Sequence, residues 1–519
     1  MISLSAENLK VQIGGADILD VPWLRLGGDA EAVDAEAVDA VAGSGGEVAV
    51  GADSGAGERA PRIGIVGESG SGKTMLVRSL MGLLPAGASV SGSYTIDGSD
   101  FDLNAKEREW RKVRGARLGM VMQDPFTALD PLGKCGRQIL DGVPKSSRAS
   151  FDTRAALAEV GLAADIAERY PRELSGGQRQ RVVIAAALAT EPQLLIADEA
   201  TTALDVITQK GILDLLDEIR EKRSMPLVLI THNIRLVYQR TDTVIVMDGG
   251  RIVETGATRE VIANPQSAYT RALIEEDRLL RVSAYPEYRV GGPVILKVRD
   301  VEKSFGSVRA LDRVSIEVCE GEIVGIVGES GSGKTTLARI VAGLESADGG
   351  EVKFFAEGTP KIVFQDPYSS LNPAHTVRFA IEEALAAFGR PLSELSEVMN
   401  LAELDESLLD RRPAKLSGGQ RQRVAIARAL ATHPSLIVFD ESVSALDIAT
   451  QNRILGMIER LRSERQLAVL FITHDLSVVR MLAGRIYVMH EGRIVDSGSA
   501  EHIFEDSKEG YTRALVNAS

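Results

Sequence analysis

At 519 residues the chain exceeds what one compact core accommodates, so two or more domains are expected. With 44% hydrophobic and 25% charged residues it reads as a soluble globular protein, and no apolar run reaches the roughly 18 residues of a spanning helix. Lys and Arg number 59 against 73 Asp and Glu, a net charge of −14 that argues against sheathing nucleic acid.

The opening MISLSAENLK lacks the charged-then-apolar order of a signal peptide. Residues 29–60, rich in Ala, Asp, Glu, Val and Gly and without aromatics, read as a solvated insertion with a transiently helical Ala/Glu part. An acidic interaction arm is the alternative reading. Next, the apolar IGIV leads into GESGSGKT (67–74), and TMLVRSLMGLL behind it has apolar residues at helical spacing. Strand, glycine loop and helix are the setting of a P-loop, within an α/β fold.

The loop fits G-x-x-x-x-G-K-[ST]. Gly67, Ser69, Gly70 and Gly72 let backbone N–H groups turn around phosphate oxygens, and the helix start adds its positive dipole end. Lys73 is then expected at the β- and γ-phosphates of ATP, and Thr74 at Mg²⁺. LSGGQRQR (174–181) forms a capping box, with Ser175 as N-cap and Gln178 three residues on. That box does not require the glycines, Gly177 among them, so the exposed helix start is also read as an anion site. LLIADE (194–199) is a buried strand ending in two acids. Alternation sends Asp198 toward Mg²⁺ and Glu199 toward an attacking water as general base.

DRLLRVSAYPEYRVGGP (277–293), with Pro286, Gly291, Gly292 and Pro293, reads as a linker between domains 1–276 and 294–519. The second domain repeats the first. GIVGESGSGKT recurs letter for letter, bringing Gly328, Ser330, Gly331, Gly333, Lys334 and Thr335 into the same roles. LSGGQRQR returns with Ser417, Gly419 and Gln420, and LIVFDE with Asp440 and Glu441. From Gln123, Ser175, Asp198 and His232 to Gln365, Ser417, Asp440 and His474 the offset is always 242. YTRAL at 269–273 and 511–515 keeps that offset too. The register breaks in two places: the 29–60 tract stands where the second half has only the turn CEGE before its glycine loop, and Lys73 and Gln123 are 50 positions apart against 31 for Lys334 and Gln365. Cys135 and Cys319 lie far apart without a metal-ligand pattern and read as separate reduced thiols of a cytosolic protein.

These motifs resemble the tandem ATP-binding cassette (ABC) ATPases, whose signature is LSGGQ. The resemblance implies two P-loop domains, each a RecA-like parallel-sheet core with an antiparallel β subdomain and an α-helical signature subdomain. It implies ATP and Mg²⁺ as cofactors. It also implies that the cassettes pair head to tail, so that Lys73 shares a site with Ser417 and Gly419, and Lys334 with Ser175 and Gly177. Gln123 and Gln365 match the Q-loop residue that senses Mg²⁺ and water. Asp205 and Asp447 match the loop crossing between sites, and His232 and His474 the switch histidine at the γ-phosphate. Phe305 matches the aromatic that stacks on adenine, where the first half has Ile13. Ala200 stands at a usual proline, and Asn233 follows His232 where Asp475 follows His474. Histidines 375, 433, 490 and 502 receive no role.

QDPFTALDP and QDPYSSLNP, with YTRAL, resemble the ATPase subunits of peptide and nickel importers, here fused. Such a protein is expected at the cytoplasmic face of the membrane, bound to two permease subunits and through them to an extracytoplasmic solute-binding protein, with no nucleic acid. No cysteine cluster follows the first YTRAL, so no iron–sulfur centre is expected. The alternatives are a sugar-importer ATPase, which often has a degenerate second P-loop, and a permease-independent ribosome-associated tandem factor.

Overall fold

The computed structural model describes residues 2–27, 60–68, 70–122, 124–200, 205–279, 285–286, 292–366, 370–443, 446 and 448–518. Ser69, Gln123, Asp447, the 29–60 tract except Ala60, and most of the expected linker lie outside the described residues. Contacts divide the chain into two units, Met1–Leu204 with Thr208–Asp277, and Asp205–Ile207 with Arg278–Ser519.

The first unit contains β1 (Ser3–Ile13), β2 (Ala16–Gly27), β3 (Arg62–Val66), β4 (Ala88–Ile96) and β5 (Ser99–Asp100). It continues with β6 (Leu118–Val121), β7 (Leu194–Asp198), β8 (Leu227–Thr231), β9 (Thr243–Asp248) and β10 (Arg251–Ala257). RIGIV, LLIAD and LVLIT are almost fully buried along their length, as strands covered on both faces must be. They form a six-stranded sheet ordered β10-β9-β3-β8-β7-β6, parallel except for β10. β1, β2, β4 and β5 make a separate antiparallel sheet. Its alternating apolar residues share a core with the helix Lys73–Leu80 and one face of the parallel sheet. The other face is covered by a helical group that includes Cys135–Gly142, Thr153–Glu159 and Gly176–Leu188.

The second unit follows the same plan with β11 (Val294–Phe305), β12 (Val308–Cys319), β13 (Ile323–Val327), β14 (Gly349–Phe354) and β15 (Lys361–Val363). β16 (Leu436–Asp440), β17 (Ala468–Thr473), β18 (Arg485–His490) and β19 (Arg493–Ser499) complete it. The parallel sheet is ordered β15-β16-β17-β13-β18-β19, with β19 antiparallel at its edge. In both sheets the glycine-loop strand is central, and the functional segments leave the C-terminal ends of adjacent strands, where ligands of open α/β sheets bind.

The second register break has a structural counterpart. The first unit's extra residues build β5 and the helix Glu107–Val113, whose Trp110 is 3% exposed and packs edge-on against Phe101 at 4.7 Å. A Cβ on Gly82 would lie 2.2 Å from the Trp110 ring. At the corresponding Gly343 nothing lies within 4 Å. The second unit instead has a cleft of about 620 Å³ there, bordered by Leu344, Lys361, Phe388 and Arg428. Among the described residues no helix is long and apolar enough to cross a membrane. Cys135 and Cys319 are both buried free thiols.

Candidate functional site

β3 ends at Val66, and the chain turns through the glycine loop into the helix Lys73–Leu80. Gly72 holds φ 99° and Gly333 φ 102°, left-handed conformations that place the following lysine at the helix start. Lys73 is 4% exposed, and its Nζ donates to the carbonyls of Gly67 (2.7 Å) and Glu68 (2.8 Å). Lys334 repeats this with Gly328 (2.8 Å) and Glu329 (2.6 Å). Burial pulls both ammonium groups below the ordinary lysine range, opposed by the carboxylates of Glu199 and Asp198 in one unit and of Glu441 and Asp440 in the other.

The next residue reaches across to β7 or β16. Thr74 Oγ1 donates to Asp198 Oδ1 at 3.3 Å, and Thr335 Oγ1 to Asp440 Oδ1 at 3.2 Å. Asp198 and Asp440 are 3% and 4% exposed. Burial raises the pKa of each, helped by the adjacent glutamate and opposed by the threonine hydroxyl. A cation bridging hydroxyl and carboxylate would reverse that effect, which is the behaviour expected of an oxygen pair suited to a hard metal ion.

The second acid of each pair departs from the strand. Glu199 has φ 44° and Glu441 φ 48°, while their N–H groups still donate to Ile230 (3.0 Å) and Ile472 (2.8 Å). The left-handed turn thus begins at the last ladder bond, and carries the carboxylate to the histidine ending the neighbouring strand. His232 Nδ1 lies 3.4 Å from Glu199 Oε1, and His474 Nδ1 3.4 Å from Glu441 Oε2. Gln365 Nε2 donates to Glu441 Oε2 at 3.1 Å, so three expected residues converge in the second unit. Burial alone would raise Glu441, but His474 and Lys334 together hold it below the ordinary carboxylate range. Burial likewise opposes the proton on His474, and the bond and charge of Glu441 outweigh it.

The signature helices Gly176–Leu188 and Gly418–Leu430 begin as expected. Gln178 N–H donates to Ser175 Oγ (3.3 Å) and Gln420 N–H to Ser417 Oγ (3.2 Å), while each glutamine side chain accepts the serine N–H in return. The structure adds a reason for the second glycine. A Cβ on Gly177 would lie 2.6 Å from Thr208 Cγ2, and one on Gly419 2.4 Å from Thr450 Cγ2. Asp205 is half-buried just before the helix Val206–Arg223. Phe305 is 51% exposed at the end of β11, with Lys303 Nζ 5.3 Å from its ring centroid.

Sequence reasoning missed Thr208 and Thr450, and also Tyr269 and Tyr511, whose hydroxyls accept the N–H of Glu68 and Glu329 in the glycine loops, both at 2.9 Å. The signal for all four was the constant offset of 242, at which each pair recurs.

Residues 54–202 and 311–444 match the family described as ABC transporter. The chain is similar to the peptidoglycan transport ATP-binding protein YejF of Agrobacterium fabrum, 39% identical over 497 residues that cover 88% of this chain and 90% of that protein. It is similar to the glutathione import ATP-binding protein GsiA of Pectobacterium atrosepticum, 35% identical over 529 residues, with 89% and 85% covered. GsiA of Escherichia coli K12 matches at 34% over 530 residues, with the same coverage. The solved structure of an archaeal ribosome recycling factor, aABCE1 with the stalk protein aP1, aligns over 85% of this chain and 86% of that one. Its TM-score of 0.59 and identity of 21% make that a likeness of fold alone.

Proposed function

Since the chain belongs to the ABC transporter family, and so binds and hydrolyses ATP, we propose that it powers an importer of peptides or peptide-derived solutes such as glutathione. The observation that carries the hydrolytic part is the lysine, threonine, aspartate, glutamate and histidine set at adjoining strand ends in each unit. The solute class is supported by relatives named for peptidoglycan transport and glutathione import, matched over most of their length.

In this reading residues 1–276 and 294–519 are two ATPase domains joined by 277–293. Lys73 and Lys334 hold the β- and γ-phosphates. The Thr74–Asp198 and Thr335–Asp440 oxygen pairs would hold Mg²⁺, an ion that needs few protein ligands. When bound, the ion neutralises charge on the phosphate oxygens. Glu199 and Glu441 accept the proton of the attacking water, each oriented by its histidine, with Gln365 Nε2 steadying Glu441. The helix starts at Ser175 and Ser417 leave first-turn N–H groups, including those of Gly177 and Gly419, for an anion. Phe305 offers an exposed ring for adenine.

In this reading the chain sits at the cytoplasmic face of a membrane, with two permease subunits and an extracytoplasmic binding protein, a partner set supported by its likeness to importer ATP-binding proteins. Isolation of the native complex from membranes, followed by ATPase assays with di- and oligopeptides, glutathione, muropeptides and sugars on that binding protein, tests the reading. Two hydrophobic subunits and stimulation by a peptide are expected. Association with ribosomal particles, or stimulation by sugars alone, would overturn it.

A further inference from the structure

YTRAL closes each half, and the ATPase chemistry above gives it nothing to do. In both units, however, the tyrosine of that motif reaches the phosphate loop. Tyr269 lies on the helix Ala268–Leu279 and Tyr511 on Gly510–Ala518. Their hydroxyls accept the backbone N–H of Glu68 and Glu329 at 2.9 Å.

That N–H belongs to the peptide unit whose carbonyl is Gly67 or Gly328. The same carbonyl accepts the ammonium of Lys73 at 2.7 Å or of Lys334 at 2.8 Å. A peptide unit is planar, with its N–H and C=O pointing opposite ways. Two hydrogen bonds on opposite edges therefore fix its rotation, and releasing the tyrosine frees the plane that presents the carbonyl to the lysine. The glycine backbone itself runs close to a neighbouring strand, since a Cβ there would lie 2.2 Å from the Met247 carbonyl or 2.0 Å from that of Met489.

The tyrosines are themselves held. Tyr269 packs against the cluster of Val66, Val237, Val246, Leu273 and Ile274. The start of its helix is tied to β10, where the Glu254 carboxylate accepts the N–H groups of Gln266 (2.8 Å) and Ser267 (2.9 Å). In the second unit Asp496 on β19, 242 positions on, accepts from Ser507 Oγ, and Glu509 Oε2 accepts the Thr512 N–H at 2.6 Å. Burial pushes the Tyr511 phenol up to about 12, so it remains a neutral hydroxyl throughout the physiological range. His490 stacks on the Tyr511 ring at 3.9 Å, whereas the first unit has Asp248 at the corresponding position.

We propose that Tyr269 and Tyr511 are positioning residues of the two ATP sites, fixing the peptide plane that orients Lys73 and Lys334. The inference rests on the reading that those lysines hold ATP phosphates. The phenol touches a loop N–H and not the reacting atoms, so its loss acts first on nucleotide binding.

Tyr269→Phe, Tyr511→Phe and the double variant of the full chain, in its native complex, keep the ring and remove only the hydroxyl. One lost hydrogen bond of ordinary net strength corresponds to about a fivefold change. KM for ATP is expected to rise by about that factor in each single variant and further in the double variant. The kcat should stay within about twofold and the denaturation midpoint close to wild type, a split that a merely structural role would not produce. Unchanged KM in all three, or a fall in thermal stability with KM and kcat intact per folded molecule, overturns the proposal. Lys73→Ala and Lys334→Ala separate the two levels. If they still bind ATP, the reading of the loops fails; if they lose ATP while the phenylalanine variants keep the wild-type KM, only the tyrosine assignment fails.

Discussion

Glu199 and Glu441 occupy backbone conformations, φ 44° and 48°, that cost a residue with a side chain about 1 kcal/mol or more. The strain sits where the carboxylate leaves the strand to meet its histidine, so geometry needed for chemistry is held by the surrounding ladder and loop. Two opposite outcomes follow from one position. Glu441→Gln removes the proposed proton acceptor and is expected to slow hydrolysis at that site by about 10² or more, measured as single-turnover phosphate release. Glu441→Gly and Glu441→Ala both lose the carboxylate and its contacts to Gln365 and His474, yet only glycine relaxes the left-handed turn. Glu441→Gly should therefore denature at higher urea than Glu441→Ala. The reverse order would show that the turn carries no strain.

At the scale of elements, the phosphate loops, acid-ended strands and capping boxes were legible because each is written in contiguous letters. Gly72 and Lys73, or Ser175 and Gln178, are set by local backbone and helix geometry. What was not legible joins distant stretches. Tyr269 and Glu68 are 201 positions apart and Tyr511 and Glu329 are 182 apart, so no local periodicity carries the bond. The left-handed glutamates were missed for another reason, since strand alternation alone accounts for two acids on opposite sides. Gly419 lies between these cases. The cap does not need it, but the helix Ile448–Arg465 presses Thr450 against it. Gly419→Ala should cost about 1–3 kcal/mol by overpacking. Thr450→Ser, which removes the crowded methyl, should restore most of the loss in the double variant. Additive losses in chemical denaturation would rule out this contact as the cause.

Across the whole molecule, two halves with identical phosphate loops differ in what surrounds them. The first buries Trp110 over Gly82, whereas the second leaves a cleft beside Gly343. The 50-against-31 spacing announced a difference there, but nothing in the letters said that the extra residues would supply an aromatic plug. The pair makes an internal control, because both glycines have positive φ, 61° and 71°. Gly82→Ala and Gly343→Ala bear the same backbone penalty, and only the first also drives a methyl into the indole. Gly82→Ala should be more destabilising by about 2 kcal/mol, read from urea denaturation of the full chain. Equal losses would mean that Trp110 yields freely.

The strained glutamates bear on the chain in a further way. Natural proteins sit close to a stability threshold, and most substitutions lower stability. A heat-survival screen of random variants judges the folded chain and is blind to turnover. Among variants that lose the carboxylate, such a screen would favour Glu199→Gly and Glu441→Gly over other replacements, and those survivors would grip ATP while leaving it intact.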